Sequence, residues 1–492
     1  MGRTAAELLE VPFELCDPSV EGLRERGQIQ GEAIPVPSQK TVEALYLPPL
    51  YHSEKGTARR LLGMARSSTS RLRLAKTFDW PGFFETLVRT EQMTLTAQQQ
   101  EAVRQALQQK VSLLTGGPGT GKTTTLRAVI HALEAVQARY TLASPTGRAA
   151  KRLSEATGRP AQTLHRLLGF KPGVGFLHDE DNPLDVDMLV VDEASMLDLV
   201  LFYNVLKALT PDTHLLLVGD VDQLPSVSAG DVLRDVIGSG MFPVTRLATI
   251  FRQAGGSLII RNAHRINQGQ MPDVSNRGED FFLFSAEEPD AAADLLVDVV
   301  QNRIPKRFGL DPIQDIQVLA PMYRGSIGVG SLNERLQAAL NPPGETAERQ
   351  IGGRLFRVGD KVIQMRNNYD KEVFNGDLGR VEGIDLTQQK LRVSVDGRVV
   401  EYDWADASEL THAYAISVHR SQGSEYPAIV LPVMTQHYLM LQRNLLYTAV
   451  TRARRLVVLV GTRKAIAMAL RNDKGLYRYS GLSWRLNGQP LK

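Results

Sequence analysis

The sequence predicts an α/β fold built on parallel sheets, and three observations carry that expectation. From Thr94 onward, short β-rich apolar runs alternate with helical segments, the pattern of βαβ units whose loops gather at the strand C-termini. A second alternation of the same kind begins near Gln317–Leu319. Between the apolar run Val111 to Leu114 and a helical segment from Thr124 to Leu133 lies Gly116-Gly117-Pro118-Gly119-Thr120-Gly121-Lys122-Thr123. A glycine-rich turn between a strand and a helix is the setting of a phosphate-binding loop.

That loop defines the first site. Gly117, Gly119 and Gly121 let backbone N–H groups turn inward around phosphate oxygens, with Thr120 and Thr124 alongside. The following helix adds the positive end of its dipole. Lys122 can reach β- and γ-phosphates, and the Thr123 hydroxyl can ligate Mg²⁺. The chain is therefore expected to bind a nucleoside triphosphate.

Taken in order, residues 1–90 are expected to form a small helical N-terminal domain. Their apolar residues fall at helical spacing, as in Ala58, Leu61, Leu62 and Ala65, then Phe83, Phe84, Leu87 and Val88. Pro35, Pro37, Pro48 and Pro49 break the region into short pieces. A first α/β unit, residues 91–250, takes strands at Val111–Leu114, Thr141–Ala143, Met188–Val191, His214–Val218 and Val244–Leu247. Within it, residues 169–187 carry Pro172-Gly173, Gly175 and Asn182-Pro183, an insertion expected as a hairpin or a surface loop. A second unit, residues 251–350 and 405–492, takes strands at Gln317–Leu319, Ala428–Leu431 and Leu456–Val460. Residues 351–404 interrupt it with Phe356–Gln364, Gly379–Ile384, Leu391–Val395 and Arg398–Tyr402. Turn signals at Asn375-Gly376 and Asp396-Gly397 make this a small antiparallel barrel.

Composition bounds the function classes. A 492-residue chain exceeds one ordinary core, and its 43% hydrophobic and 23% charged content is that of a soluble globular protein. The net charge of +3 permits a nucleic-acid partner only where basic residues cluster. A single cysteine, Cys16, excludes an internal disulfide framework and fits a cytoplasmic location. No apolar run approaches a membrane span, the N-terminus has no secretory pattern, and nine scattered histidines give no zinc spacing.

Further motifs follow the strand ends. Asp192-Glu193 closes Met188–Val191; there an acid binds Mg²⁺ and a following Glu polarises the attacking water. Asp192 is accordingly assigned to Mg²⁺ and Glu193 to general base. Gln223, in Gly219-Asp220-Val221-Asp222-Gln223-Leu224-Pro225, can contact a γ-phosphate or that water. Upstream, Thr96 reads as a helix N-cap, and the Gln99 amide one turn in can read an adenine edge. Arg252, in Phe251-Arg252-Gln253, and Arg452, closing Tyr447–Arg452, can each bring a planar guanidinium to a γ-phosphate.

With Ser144–Ala150, Thr163-Leu164-His165, Ala320-Pro321-Met322 and His419–Glu425, these motifs span roughly residues 90 to 465. In that order they make the chain resemble a superfamily 1 DNA helicase, most closely a RecD-like one of the exodeoxyribonuclease V α-subunit family. The resemblance implies two RecA-like P-loop domains with ATP and Mg²⁺ between them, a hairpin that can split the duplex, and an SH3-like barrel. It implies that Gln99 reads adenine, that Gln223 senses the γ-phosphate, and that Arg252 and Arg452 act as fingers in cis. Gly423 and Glu425 would lie near the nucleotide sugar and phosphates, and Thr146, His165 and His419 in segments lining a single-strand track. The implied activity is ATP-dependent translocation on single-stranded DNA, 5′ to 3′, with unwinding at single-/double-strand junctions in repair or recombination. Both fingers in one chain would make a monomer catalytically complete. The N-terminal region shows no helix-hairpin-helix signature, so such an extension is expected to be absent or trimmed. Rival readings are a single-strand binder gated by ATP, a nuclease or relaxase component, and an RNA helicase.

Overall fold

Strands that are apolar at every position are covered on both faces, and the chain uses them in two parallel sheets. The computed structural model describes residues 6–8, 10–35, 41–72, 78–249, 256–344, 346–473 and 478–487. Ahead of the first sheet, Gln30–Pro35 (β1) and Thr41–Tyr46 (β2) pair antiparallel. The first sheet contains Val111–Gly116 (β3), Tyr140–Ser144 (β4), Ala161–Thr163 (β5), Met188–Val191 (β6), His214–Gly219 (β7) and Val244–Leu247 (β8). Its order is β5-β4-β6-β7-β3-β8. Successive side chains point to opposite faces. Leu189, Val191, Leu215 and Leu217 enter one core, while Met188, Val190, Leu216 and Val218 enter the other.

The second sheet starts with Phe281–Ser285 (β9) and Ile316–Ala320 (β10). The chain then leaves for a hairpin, Glu348–Ile351 (β11) with Arg354–Arg357 (β12). A five-stranded antiparallel sheet follows: Lys361–Gln364 (β13), Leu378–Asp385 (β14), Lys390–Val395 (β15), Arg398–Asp403 (β16) and Leu410–His412 (β17). It returns through Ala415–Ser417 (β18), Tyr426–Val433 (β19) and Ala453–Gly461 (β20), completing the order β18-β10-β19-β20-β9. A buried carboxylate joins the inserted sheet to this unit. Asp360 accepts from Gln337 and Asn341, both at 2.7 Å, and from the Tyr414 hydroxyl at 2.9 Å.

Several expectations need correction. The N-terminal region is helical as expected, but among its described residues the helices join the cores of the first sheet, and the region also includes the β1–β2 pair. Helix Pro48–Arg66 buries Ala58, Leu61, Leu62 and Met64 beside Val191 and Phe202 on one face of the first sheet. Helix Trp80–Glu91 buries Phe84 and Leu87 beside Leu114 and Val218 on the other. A helix with one apolar stripe must cover something, and the open sheet faces are what this stretch covers. At the other end, helix Leu482–Leu486 places Leu482 and Leu486 in the first core, not with the second unit. Phe356–Gln364 is two strands, broken where Gly359 takes φ +98°. The inserted antiparallel sheet runs past residue 404, because β17 pairs with β13. Residues 169–187 hold a tight turn closed by one bridge, Lys171 to Gly175, and no extended hairpin strands. Among the described residues no helix is long and apolar enough to cross a membrane; Cys16 is buried and unpaired.

Candidate active site

The glycine-rich loop leaves β3 and enters helix Lys122–Ala135, with Gly119 and Gly121 at φ +71° and +85°, values that favour glycine. Gly121 is the N-cap and offers no side chain, so the first N–H groups of the helix remain for an anion. Lys122 Nζ lies folded onto the loop, donating to the Gly116 and Gly117 carbonyls at 2.6 and 3.1 Å. Thr120 Oγ1 closes the loop on the Gly117 carbonyl at 2.8 Å.

Two acids stand across from it, after β6. Burial, and then the Glu193 carboxylate, push Asp192 up to about 6, against the pull of Lys122 and Arg152. Such an acid gains from a cation beside it. Glu193 adopts φ +52°, an uncommon conformation for a side-chain-bearing residue and one that turns up at functional sites. Thr123 and Asp192 line the same cavity, and a hydroxyl with one carboxylate fits a Mg²⁺ ion that keeps waters and takes phosphate oxygens. After β7, Gln223 donates through Nε2 to Asp220 Oδ2 at 3.2 Å. Its Oε1 is buried without a hydrogen-bond partner.

The second sheet supplies the opposing wall. Arg452, 3% exposed, donates from Nε to the Thr448 carbonyl and from Nη1 to the Ser424 carbonyl, both at 3.2 Å. Glu425 is gripped by Arg152 of the first unit at 2.6 Å and by Arg454 of its own at 2.8 Å. Burial opposes its charge, yet Arg152, Arg454 and Arg452 together hold its carboxyl below the usual range. The cavity between the walls measures about 520 Å³ and is lined by Lys122, Asp192, Glu193, Gln223, Glu425 and Arg452, among others.

Residues 99–229 match the AAA domain family, 332–395 the ATP-dependent RecD-like DNA helicase SH3 domain, and 412–460 the UvrD-like helicase C-terminal domain. The RecBCD enzyme subunit RecD of Mycobacterium tuberculosis is 35% identical over 428 residues, covering 79% of this chain and 73% of that protein. The chain belongs to the RecD family of helicases. The ATP-dependent RecD2 DNA helicase of Deinococcus radiodurans is 41% identical over 360 residues, 73% of this chain. That match covers 48% of the relative, so the chain spans about half its length. Among solved structures, a chain from a study of two coordinating Pif1 helicases at forked duplex DNA has a TM-score of 0.49 and 21% identity. The match covers 76% of this chain and 94% of that one.

In this RecD-family chain the expected residues divide into groups. Gly117, Gly119, Thr120, Gly121, Lys122, Thr123, Asp192, Glu193, Gln223, Glu425 and Arg452 converge on one cavity. Arg252 lies outside the described residues. Gln99 is 1% exposed and behind the loop: its Oε1 accepts from Thr96 N–H at 3.0 Å, and its Nε2 lies 3.4 Å from the Gly121 carbonyl. Thr124 is half-buried in the first turn of the helix. Gly423 abuts the helix that Thr146 caps: a Cβ on it would stand 3.3 Å from Thr146 Oγ1. His165 sits apart, its ring 5.5 and 5.9 Å from Phe170 and Phe176 of the insertion. Burial lowers the pKa of both His165 and His419, and Arg478 adds to the effect at His419. Sequence reasoning missed Arg152 and Arg454. Arg454 stood two residues past a recognised motif, whereas Arg152 lies mid-helix with no pattern to mark it.

Proposed function

We propose that this chain is an ATP-driven motor that moves along single-stranded DNA, 5′ to 3′, and unwinds duplex at single-/double-strand junctions. The observation that carries the proposal is that Lys122, Asp192 and Glu193 from one sheet and Arg452 from the other line a single cavity. Lys122 exchanges the Gly116 and Gly117 carbonyls for the β- and γ-phosphates, which are better partners for an ammonium. Glu193 takes the proton of the attacking water, and Gln223 orients that water through Oε1. Arg452, joined by Arg252, meets the charge that develops on the γ-phosphoryl group. Thr123 and Asp192 would hold Mg²⁺, which would supply charge neutralisation at the phosphates. Gln99 braces the loop from behind and, with Thr124, Gly423 and Glu425, completes the nucleotide surroundings.

Closure of the two units around the nucleotide and reopening after hydrolysis alternate their grip on the strand. Thr146, His165 and His419 hold its phosphates without reading bases. The motor units are residues 91–249 with 478–487, and 256–344 with 413–473, while residues 348–412 form the barrel. The chain works as a monomer in the cytoplasm, in repair or recombination. Strand displacement on duplexes bearing only a 5′ or only a 3′ single-stranded tail tests this reading. Unwinding from the 5′ tail alone is expected; unwinding from the 3′ tail refutes the direction, and unwinding of neither refutes the helicase.

A further inference from the structure

Helix Arg443–Val450 packs in the second core, yet its Tyr447 reaches across the cleft to the first unit. Tyr447 is 1% exposed, and its hydroxyl donates to Asp220 Oδ2 at 2.8 Å. The same oxygen accepts from Gln223 Nε2 at 3.2 Å, while Asp220 Oδ1 accepts from Asp222 N–H at 3.1 Å. A carboxylate only accepts, so the NH₂ end of the Gln223 amide must face it. The other end, Oε1, is buried with no hydrogen-bond partner, in a residue that lines the cavity. The hydroxyl also lies beside the glycine-rich loop: a Cβ placed on Gly117 would come within 3.1 Å of it.

The neighbouring residues repeat the linkage. Leu224 N–H donates to Thr448 Oγ1 at 2.8 Å, and Gln422 Nε2 donates to the Leu224 carbonyl at 2.7 Å. Arg452 Nε donates to the Thr448 carbonyl at 3.2 Å. One helical turn of the second unit thus holds Asp220, Leu224 and Arg452 together. Packing alone would be served by phenylalanine, whereas a buried hydroxyl on a buried carboxylate costs desolvation that only a defined geometry offsets.

We propose that Tyr447 is a positioning residue for ATP hydrolysis, holding Asp220 so that Gln223 presents Oε1 to the reacting water in register with Arg452. This inference rests on the reading of the cleft as an ATP-hydrolysing site. Its signature is a defect in turnover and not in nucleotide affinity, because the phosphate loop supplies the ground-state contacts.

The test is single-strand-stimulated phosphate release against ATP concentration for the full chain, Tyr447→Phe, Asp220→Asn and the double variant. Tyr447→Phe is expected to lower kcat about tenfold with KM within about threefold, the loss of one hydrogen bond to a charged group. The double variant should be no slower than the slower single one, since both changes cut the same link. Multiplying effects, a raised KM with unchanged kcat, or wild-type turnover in Tyr447→Phe each overturn the role. Should Tyr447→Phe fold poorly by thermal melting, the isosteric Asp220→Asn carries the same kcat-against-KM split, and wild-type kcat there refutes the link. A wild-type chain that hydrolyses no ATP overturns the underlying reading, which sets that failure apart from a failure of Tyr447 alone.

Discussion

Replacing Arg452 with alanine probes the cleft where its two walls meet. The guanidinium is held by the Thr448 and Ser424 carbonyls at 3.2 Å and, through Nη2, by Thr451 Oγ1 at 3.3 Å. None of these partners is a carboxylate, so the geometry is fixed while the charge stays available to phosphoryl oxygens. A finger of this kind is worth about 10³–10⁵ in kcat, or roughly 4–7 kcal/mol of barrier. Arg252 is assigned the same task and remains in the variant, so the lower end, about 10³-fold, is the expected loss. Arg452→Lys keeps a charge but not the planar fork, and should lose about 10²-fold. The assay is phosphate release at saturating ATP and single-stranded DNA, with binding of a fluorescent ATP analogue as the control. Nucleotide affinity within about threefold of wild type is expected, because the phosphate loop is untouched. An alanine variant that binds nucleotide normally and retains kcat within about threefold would refute the cis-finger assignment.

Lys122→Ala should abolish hydrolysis while retaining single-strand binding, as read by phosphate release and by anisotropy of a labelled oligonucleotide; a hydrolysing variant contradicts the assignment. Arg485→Ala strands Glu54, which is 2% exposed and bonded to Arg485 Nε at 2.8 Å. A loss of about 3–5 kcal/mol in urea unfolding is expected, and less than about 1 kcal/mol would show that the pair is dispensable. Asp235 is pushed from 3.8 up to about 7, first by burial and then by Asp231 and Glu54, despite the hydrogen bond from Ser480. The native state therefore keeps a proton that the unfolded chain has released, and stability falls as pH rises from about 4 to about 7. Asp235→Asn should be more stable than wild type at pH 8 by roughly 2–4 kcal/mol, with the difference vanishing near pH 4. Equal urea midpoints at pH 8 would refute the shift.

What sequence reasoning recovered and what it missed follow from the range of the forces involved. Met188–Val191 coincides with an observed strand because a strand covered on both faces is apolar at each position, and Val244–Leu247 coincides too, although as an edge strand it leaves Arg246 exposed. β9, with its run Phe281 to Phe284, carried the same signal and was passed over. Gly359 was read through as strand, although its left-handed φ ends β12 and starts a turn. The helical spacing of Ala58, Leu61 and Leu62 was read correctly, but spacing cannot say which sheet a helix will cover.

By itself the sequence determined the place of the glycine-rich loop between β3 and its helix, the place of the acids after β6 and the identity of most central strands. Each of these depends on backbone geometry and burial within a few neighbouring residues. Only the tertiary structure decided that Arg152 clasps Glu425, that Tyr447 reaches Asp220, and that the C-terminal helix returns to the first core. Glu54 and Arg485 are 431 positions apart, and their pairing exists because two buried charges need each other at one place in the fold. Nothing local to either residue encodes that need; it arises once the chain has closed on itself and excluded water from both.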